Sequence, residues 1–243
     1  MLLRLLPALL ASLVMAAAAS ALTPGPNVAT PLLPDLVQEP PSDLVVTRAG
    51  REFRLGFRSA VRNVGAGPLQ IAGHRDRRVD EMTADQLVSH ASGPGTRVRD
   101  VGALRFVVSP DHRHWHLLGF QRYALARPGG RALVRDRKTG FCLGDRVAVA
   151  PTTSARRYAT RCGLGQPALL GVTQGISPGF GDAYAANLEG QYLPLNGLHT
   201  GTYELIHHVN ASGRLLESRY DNNSAKVTIR LGWVRGVPRV TPR

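Results

Sequence analysis

The stretch EFRLGFRSAVRNV, residues 52–64, alternates arginines with large apolar side chains at Phe53, Leu55 and Phe57. Successive side chains of an extended strand point to opposite faces, so this alternation predicts a strand with one buried face. Comparable short runs, separated by Gly and Pro, lie on both sides of it. They are residues 44–48, 68–73, 104–108, 114–125, 131–136, 191–195, 201–210 and 224–233. The sequence therefore predicts an all-β protein.

About nine short strands at this spacing predict an antiparallel β-sandwich with long irregular loops and little helix. An amphipathic helix is expected only near DEMTADQLVSH, residues 80–90. Residues 139–190 are rich in Gly, Pro, Ser and Thr and are expected to be mostly irregular. Long irregular segments in compact domains usually carry function, which draws attention to this part of the chain.

The N-terminus has the pattern of a secretory signal peptide over residues 1–21, with Arg4, a short apolar run and a small-residue end at Ala19-Ser20-Ala21. Residues 22–32 form a Pro-rich leader that we expect to be disordered, residues 33–233 one folded domain, and residues 234–243 a C-terminal tail. No other run approaches the roughly 18 apolar residues needed to cross a bilayer. The mature protein is therefore expected to be secreted, soluble and without a transmembrane segment.

The chain has a formal net charge of +13, and only two of its 30 basic residues, Lys138 and Lys226, are lysines. The basic residues are scattered, without an aromatic-interleaved patch or a recognition helix, so no specific nucleic-acid partner is predicted. A polyanionic cell surface or an acidic substrate would suit the charge equally well. The near-exclusive use of Arg indicates that a lysine, where one is kept, is needed as a lysine.

The segment SPDHRHWHLLGF, residues 109–120, places His112, His114 and His116 at alternate positions. In a strand these three side chains share a face, and three neutral imidazoles favour Cu or Zn over Mg or Ca, with Fe and Ni remaining possible. The Cα atoms of His112 and His116 would lie roughly 13 Å apart in a regular strand, so one ion can bind all three only if the strand twists or bulges. The alternative is a half-exposed strand with polar histidines turned outward.

Cys142 and Cys162 are the only cysteines of the chain. In an oxidising exterior, a pair twenty residues apart is expected to form a disulfide, which stabilises the fold by about 3 kcal/mol on the chain-entropy model. A metal site built from cysteines is correspondingly not expected.

Several further motifs follow the histidine segment in a fixed order. The His-x-His-x-His strand leads into Phe120 and Tyr123, and KTGFCL (138–143), QGISPGFGDAY (174–184), GQYLPL (190–195) and ESRYDNN (217–223) follow it. Together these motifs resemble the catalytic domain of the lysyl oxidase family. With LPDLV (33–37) and LGFRSAVRNVGAGPL (55–69), the resemblance covers about residues 33 to 232. It identifies residues 33–233 as a lysyl-oxidase-like catalytic domain.

The resemblance implies that His112, His114 and His116 bind Cu(II). It also implies a lysine tyrosylquinone cofactor, made by joining the lysine four residues before the Phe-Cys cysteine to the tyrosine of the Asp-x-Tyr motif. On this sequence these are Lys138 and Tyr184. The two cysteines match a pair that is bridged in the family.

The sequence also departs from the animal members of the family, which carry more disulfides. Phe180 and Gly190 stand where family cysteines would be, and Arg137 replaces a histidine beside the cofactor lysine. The expected metal ligands and both cofactor precursors are nevertheless present.

Residue chemistry supports the pairing of Lys138 with Tyr184. Oxidation of the Tyr184 ring to an ortho-quinone gives an electrophile that a neutral amine can attack, whereas an arginine stays protonated and is not a useful nucleophile. Arg135 and Arg137 carry like charges that favour the neutral amine if the fold brings them close. The alternatives are that Lys138 is a solvated surface charge and Tyr184 a core aromatic, for which Tyr123 and Tyr192 are better candidates.

Asp182 precedes Tyr184 by two residues and has three open interpretations: it orients the ring, serves as general base, or forms a turn after Gly181. We leave it unassigned.

The predicted function is that of a secreted, copper-dependent amine oxidase, which converts primary amines to aldehydes and releases ammonia and hydrogen peroxide at the expense of dioxygen. Lysine side chains of extracellular proteins are the expected substrates, because they are the family's known targets, and small free amines are the alternative. A first alternative is a copper-binding β-sandwich that stores or delivers extracellular copper without forming a quinone. A second is a basic adhesion module, in which the histidines have no role.

Overall fold

A computed structural model describes residues 29–109, 112–136, 138, 140–149, 154–188 and 190–243. The expected signal peptide, most of the Pro-rich leader and Arg137 lie outside the described residues. The described part contains eighteen strands and no helix. In chain order they are β1 (Pro31–Leu32), β2 (Leu36–Gln38), β3 (Ser42–Ala49), β4 (Glu52–Asn63), β5 (Leu69–His74), β6 (Glu81–His90), β7 (Thr96–Val108), β8 (Arg113–Leu118), β9 (Gln121–Ala126), β10 (Ala132–Arg135), β11 (Gly140–Phe141), β12 (Val147–Ala148), β13 (Gly171–Ile176), β14 (Phe180–Tyr184), β15 (Tyr192–Pro194), β16 (Gly201–Val209), β17 (Ser224–Val234) and β18 (Val237–Pro242).

The strands form three antiparallel sheets, which confirms the predicted all-β class. The first sheet has the order β11-β8-β7-β6-β5-β13, with β1 paired to β6. The second has the order β10-β9-β16-β17-β18. The third is built around β4, which pairs with β2, β3, β14 and β15. Residues 52–63 are therefore the strand through which the third sheet is assembled.

The core fills the space between these sheets. On β4 the side chains of Leu55, Phe57 and Val61 are fully buried, as the alternation of the sequence predicts. The Phe57 ring meets the rings of Tyr123 on β9 and His207 on β16, at centroid distances of 5.0 and 4.9 Å. These contacts, edge-to-face with Tyr123 and tilted with His207, join the second and third sheets in one core.

The helix expected over residues 80–90 is wrong: this segment is β6, Glu81–His90. It pairs with β5 on one side and β7 on the other, and its register shifts between Ala84 and Gln86. The shift interrupts the two-residue alternation that marks a strand in sequence, and pairing with two neighbours overrides the weak local preference for helix.

Other predicted boundaries also change. The segment 114–125 is two strands, β8 and β9, because Gly119 at a φ of 69° turns the chain from the first sheet into the second. The expected C-terminal tail contributes β18, which pairs with β17, and the end of the leader contributes β1, which pairs with β6. Residues 139–190, expected to be mostly irregular, contain β11 to β14, although residues 154–170 are irregular.

Within the described part of the chain, the structure contains no helix with the length and apolar character that a membrane span requires.

Candidate functional site

The three histidines converge because only two of them lie in the strand. His114 and His116 are on β8, and His112 directly precedes it. The His112 N–H donates to the Ser109 carbonyl, and the His112 carbonyl accepts from the Ser109 N–H. The ring centroids are 4.8 to 5.4 Å apart, and one nitrogen from each ring lies within 4.8 Å of the others. Because His112 lies outside the regular strand, the separation of roughly 13 Å between the His112 and His116 Cα atoms that a straight strand would impose does not keep the three rings apart.

The site disfavours the charged forms of the His114 and His116 imidazoles. Burial first, then the neighbouring histidines and the charges of Arg146 and Lys138, lower the pKa of His114 to about 4 and that of His116 to about 2. A neutral imidazole has a free lone pair and does not have to lose a proton before it binds a metal. A cluster of three imidazoles suits copper or zinc, so the residues present fit the metal that the family resemblance implies.

Lys138 lies close enough to the histidines for its charge to lower the pKa values of His114 and His116. The nearby strand β11, Gly140 and Phe141, pairs with Leu118 and Leu117 of β8. The side chain is only 8 % exposed, and its Nζ lies 4.4 Å from the centroid of the Tyr184 ring. The two residues proposed to join are 46 positions apart in sequence and in contact in the fold.

Tyr184 is the last residue of β14, and its register partner on the neighbouring strand β4 is Ser59. Its ring is 5 % exposed and meets the Phe141 ring edge-on at 5.3 Å. Its hydroxyl lies 2.8 Å from two acceptors, Asp182 Oδ2 and the carbonyl oxygen of Cys142. Burial, followed by the Asp182 carboxylate, raises the pKa of the Tyr184 phenol well above its usual value.

Arg146 lies against this hydroxyl and was not identified from the sequence. Its Nε donates to Asp182 Oδ1 at 2.7 Å, and its Nη2 donates to the Cys142 carbonyl at 3.1 Å. Burial raises the pKa of Asp182 to about 6, and the charge of Arg146 opposes that rise. Asp182 therefore does not face solvent as a simple turn residue would: it is fully buried between a guanidinium and a phenol.

A network of buried polar side chains also contacts the Lys138 amine. Lys138 Nζ donates to Gln191 Oε1 at 3.3 Å, and the Tyr123 hydroxyl lies 3.4 Å from the same oxygen. Tyr123 also donates to Gln121 Oε1, which accepts from Ser59 Oγ at 2.8 Å. Tyr123 is a core aromatic, as predicted, but its hydroxyl belongs to this network. Gln191 lies in the quoted motif GQYLPL, yet the motif gave no indication of its contact.

The expected disulfide between Cys142 and Cys162 is present, with its Cα atoms 5.8 Å apart. The Cys162 carbonyl accepts from the backbone N–H of Trp115, between two of the histidines, at 2.9 Å. The Cys142 carbonyl accepts from Tyr184. The disulfide therefore joins the cysteine that contacts the backbone of β8 to the cysteine whose carbonyl accepts from the Tyr184 hydroxyl.

A cavity of about 510 Å³ lies against Gly190 and Gln191. Arg54 and Tyr192 form part of its wall, and the Arg54 guanidinium stacks on the Tyr192 ring at 4.1 Å. Gly190 stands against the lysine, because a Cβ added there would lie 3.7 Å from Lys138 Cγ. The cavity therefore adjoins Gly190 and Gln191, two residues that contact Lys138.

Comparison with known proteins gives one family. The family model described as Lysyl oxidase matches residues 104–235, which include the three histidines, Lys138 and Tyr184. The chain is 31 % identical over 120 residues to Lysyl oxidase homolog 1 of Homo sapiens, an alignment that covers 49 % of this chain and 19 % of that protein. Protein-lysine 6-oxidase of Rattus norvegicus is 33 % identical over 121 residues, covering 49 % of this chain and 27 % of that protein, and the protein of the same name from Sus scrofa is 32 % identical over 121 residues, covering 49 % and 44 %. The matched part of this chain thus spans less than half of the length of each of these relatives.

Proposed function

We propose that this chain, which belongs to the lysyl oxidase family, is a secreted copper-dependent amine oxidase with a cofactor made from Lys138 and Tyr184. The proposed reaction converts a primary amine, dioxygen and water into an aldehyde, ammonia and hydrogen peroxide. The proposed substrates are lysine side chains of other proteins, in line with the name of the rat and pig relatives. The proposed metal ligands are His112, His114 and His116.

The observation that carries the proposal is the contact between the amine and the ring. Nζ of Lys138 lies 4.4 Å from the Tyr184 ring centroid, in a pocket where both side chains are more than nine-tenths buried. The amine is paired with Gln191 Oε1 at 3.3 Å in this buried setting, so it is held beside the ring and away from solvent. A covalent bond between Nζ and a ring carbon needs little movement from this arrangement.

Bound copper would supply the activation of dioxygen that oxidation of the Tyr184 ring requires. The quinone made from Tyr184 and Lys138 would then be the electrophile that reacts with the substrate amine. The chain's own residues orient the lysine amine and the tyrosine ring and shield both from water. Gln191 holds the lysine amine, Phe141 packs edge-on against the Tyr184 ring, and Asp182 with the Cys142 carbonyl fixes the ring's hydroxyl. Burial of both precursors keeps water away from the ring.

The test is mass spectrometry of protein loaded with copper in air, for a peptide that joins residues 138 and 184, together with a peroxide assay on primary amines. Lys138→Arg is expected to bind copper as the wild type does and to lose both the cross-link and peroxide production, because a guanidinium is not a nucleophile. Lys226→Arg is the matched control. Lys226 is exposed and pairs with Glu204 on the second sheet, so this variant is expected to keep all three properties.

His114→Ala is expected to lose copper and, with it, the cross-link, whereas His199→Ala changes an exposed histidine outside the cluster and is expected to change neither. A wild-type protein that binds copper but forms no cross-link would favour a copper storage or delivery function. Undiminished copper in His114→Ala would place the metal elsewhere.

A further inference from the structure

The hydroxyl of Tyr184 has more acceptors than protons. Asp182 Oδ2 and the Cys142 carbonyl are both 2.8 Å from it, and a phenol can donate only once. Which acceptor receives the proton decides whether the phenol is merely anchored or can also give its proton away. A carbonyl cannot take a proton at neutral pH, whereas a carboxylate can.

Arg146 contacts both acceptors at once. Its Nε bonds Asp182 Oδ1 and its Nη2 bonds the Cys142 carbonyl, so the planar guanidinium spans the two groups that compete for the phenol. The guanidinium carbon also lies 5.1 Å from the centre of the Tyr184 ring. Its charge favours an ionised Asp182, and its second N–H occupies part of the carbonyl's capacity to accept.

We propose that Arg146 is a positioning residue that keeps Asp182 ionised and makes it the acceptor of the Tyr184 proton, so that the ring enters cofactor formation as a phenolate. This inference rests on the proposed function. The step is a proton transfer alone: the O–H bond of Tyr184 breaks, an O–H bond forms on Asp182 Oδ2, and no electrons change hands. The phenolate is left beside the guanidinium, which compensates its charge.

The electron-rich phenolate is the form of the ring that is easier to oxidise, and burial works against it. The low polarity of the site raises the pKa of Tyr184, so solvent cannot ionise the ring at neutral pH. An adjacent base is therefore needed, and Asp182 is the carboxylate that bonds the hydroxyl. Its pKa of about 6 is nearer to neutrality than that of an exposed aspartate, which makes it a better proton acceptor than one.

The groups that face Asp182 come from several elements. Arg146 and Lys138 lower its pKa by charge, Tyr184 lowers it by hydrogen bonding, and Tyr123 on β9 is close enough for the carboxylate to affect its own ionisation. From β4 the register partner of Asp182 is Val61, which carries no charge. Removing Arg146 is expected to have the largest effect, since it is the one group that combines contact with positive charge.

The first measurement uses copper-free protein, so that it reports the contact and not the activity. Carbon-13 NMR of protein labelled at the aspartate carboxyl carbons follows the Asp182 titration, with Asp182→Asn used to assign the signal. The wild-type midpoint is expected near pH 6. Arg146→Met is expected to raise it by at least about one unit, because burial is then no longer opposed by the guanidinium. An unmoved midpoint would overturn the inference.

The second measurement follows the Lys138–Tyr184 cross-link against time after copper and air are added, over a pH series. The wild-type rate is expected to fall about tenfold per pH unit below the Asp182 midpoint. Arg146→Met is expected to be about twofold slower at pH 7 for a midpoint raised by one unit, about tenfold slower for two units, and to recover at higher pH. Arg146→Lys, which keeps the charge but not the fork, is expected to lie between Arg146→Met and the wild type. Asp182→Asn is expected to be slow and to lose this pH dependence.

Arg156→Met is the matched control, since Arg156 stacks on Phe180 of the same strand β14 at 5.7 Å and is exposed. It is expected to mature as the wild type does.

Thermal unfolding of each variant separates a folding defect from a rate effect, and if Arg146→Met does not fold, Arg146→Lys and Asp182→Asn decide the question alone. Wild-type maturation rates with an unchanged pH profile in Arg146→Lys and Arg146→Met would overturn the inference. A wild type that titrates as expected but never forms the cross-link would contradict the proposed function and leave the role of Arg146 in setting the ionisation of Asp182 supported.

Discussion

At the scale of single residues, the unusual feature is how many polar groups surround one lysine amine. Gln191 presents its oxygen to both Lys138 and Tyr123, while its Nε2 has no hydrogen-bond partner among the residues that the structure describes. A buried amide that leaves its nitrogen unsatisfied contributes less to stability than a fully bonded one. This arrangement is better explained by orientation of the amine than by stability of the core.

Gln191→Leu is therefore expected to slow formation of the cross-link about tenfold, because one hydrogen bond of roughly 1.4 kcal/mol no longer aligns the amine with the ring. Copper content should not change. The measurement is the time course of cross-linked peptide after copper is added. Gln70→Leu, which removes an acceptor of the Tyr158 hydroxyl, is the control. Equal rates in wild type and Gln191→Leu would show that the amine is aligned by other contacts.

The site residues differ in how far they could be predicted. Lys138, Tyr184 and the histidines lie in motifs whose chemistry is readable, and the structure brings Lys138 to Tyr184 and gathers the histidines. Arg146 had no such signal: it is one of many arginines, and its partner Asp182 is 36 residues away. A contact of that kind depends on the pairing of β12 with β14, which local patterns do not encode.

At the scale of elements, the closest approach in the site is between β11 and β8. A Cβ added to Gly140 would lie 2.7 Å from the Cβ of His116 and 3.1 Å from the Leu117 carbonyl. Real Cβ atoms do not approach so closely, so a side chain at residue 140 would force the two strands apart. Glycine at this position allows the lysine segment to lie directly beside the histidine strand.

Gly140→Ala is expected to displace His116 and to weaken copper binding by tenfold or more, in the range seen when the supports of metal ligands are disturbed, roughly 10- to 100-fold. Copper competition titration measures the effect. Gly102→Ala in β7 is the matched control, because the added Cβ meets only Leu117 Cδ1 at an ordinary 3.7 Å. An affinity unchanged in Gly140→Ala would mean that the strands accommodate the methyl group without moving the ligand.

Elements with strict alternation, such as β4 and β16, were predicted to within a residue or two, whereas β6 was predicted as a helix and β11 to β14 as an irregular segment. Two causes account for β6, β11 and β12. A register shift hides the alternation of β6, and β11 and β12 have two residues each, too short for any periodic signal.

At the scale of the whole molecule, the layered all-β architecture was predictable and the division into three sheets was not. Alternation indicates which face of a strand is buried but does not identify its partner, and β4 pairs with β14 across more than a hundred residues. The charge is also a property of the whole chain. At +13, and with Arg54 on the wall of the cavity beside Gln191, the protein is expected to repel cationic molecules at long range.

Activity is therefore expected to depend on salt in a way that follows the charge of the substrate. Added salt screens repulsion, so kcat/KM for a lysine-rich cationic peptide should rise between low and physiological ionic strength. For a peptide whose single lysine is flanked by aspartates it should fall. Peroxide release measured over a salt series with both peptides checks this, with a small neutral-bodied amine as reference. A common trend for both peptides would mean that the net charge does not govern their encounter.

Because the chain has only two lysines, digestion with a lysine-specific protease can report whether the Lys138–Tyr184 cross-link has formed. A protease that cuts only after unmodified lysine has two sites in the unfolded chain, at positions 138 and 226. Once the amine at 138 is consumed, only the bond after 226 remains cleavable. A denaturing gel would then display two bands for the finished molecule and three for its precursor, so the fraction converted could be counted without copper, substrate or a spectrometer.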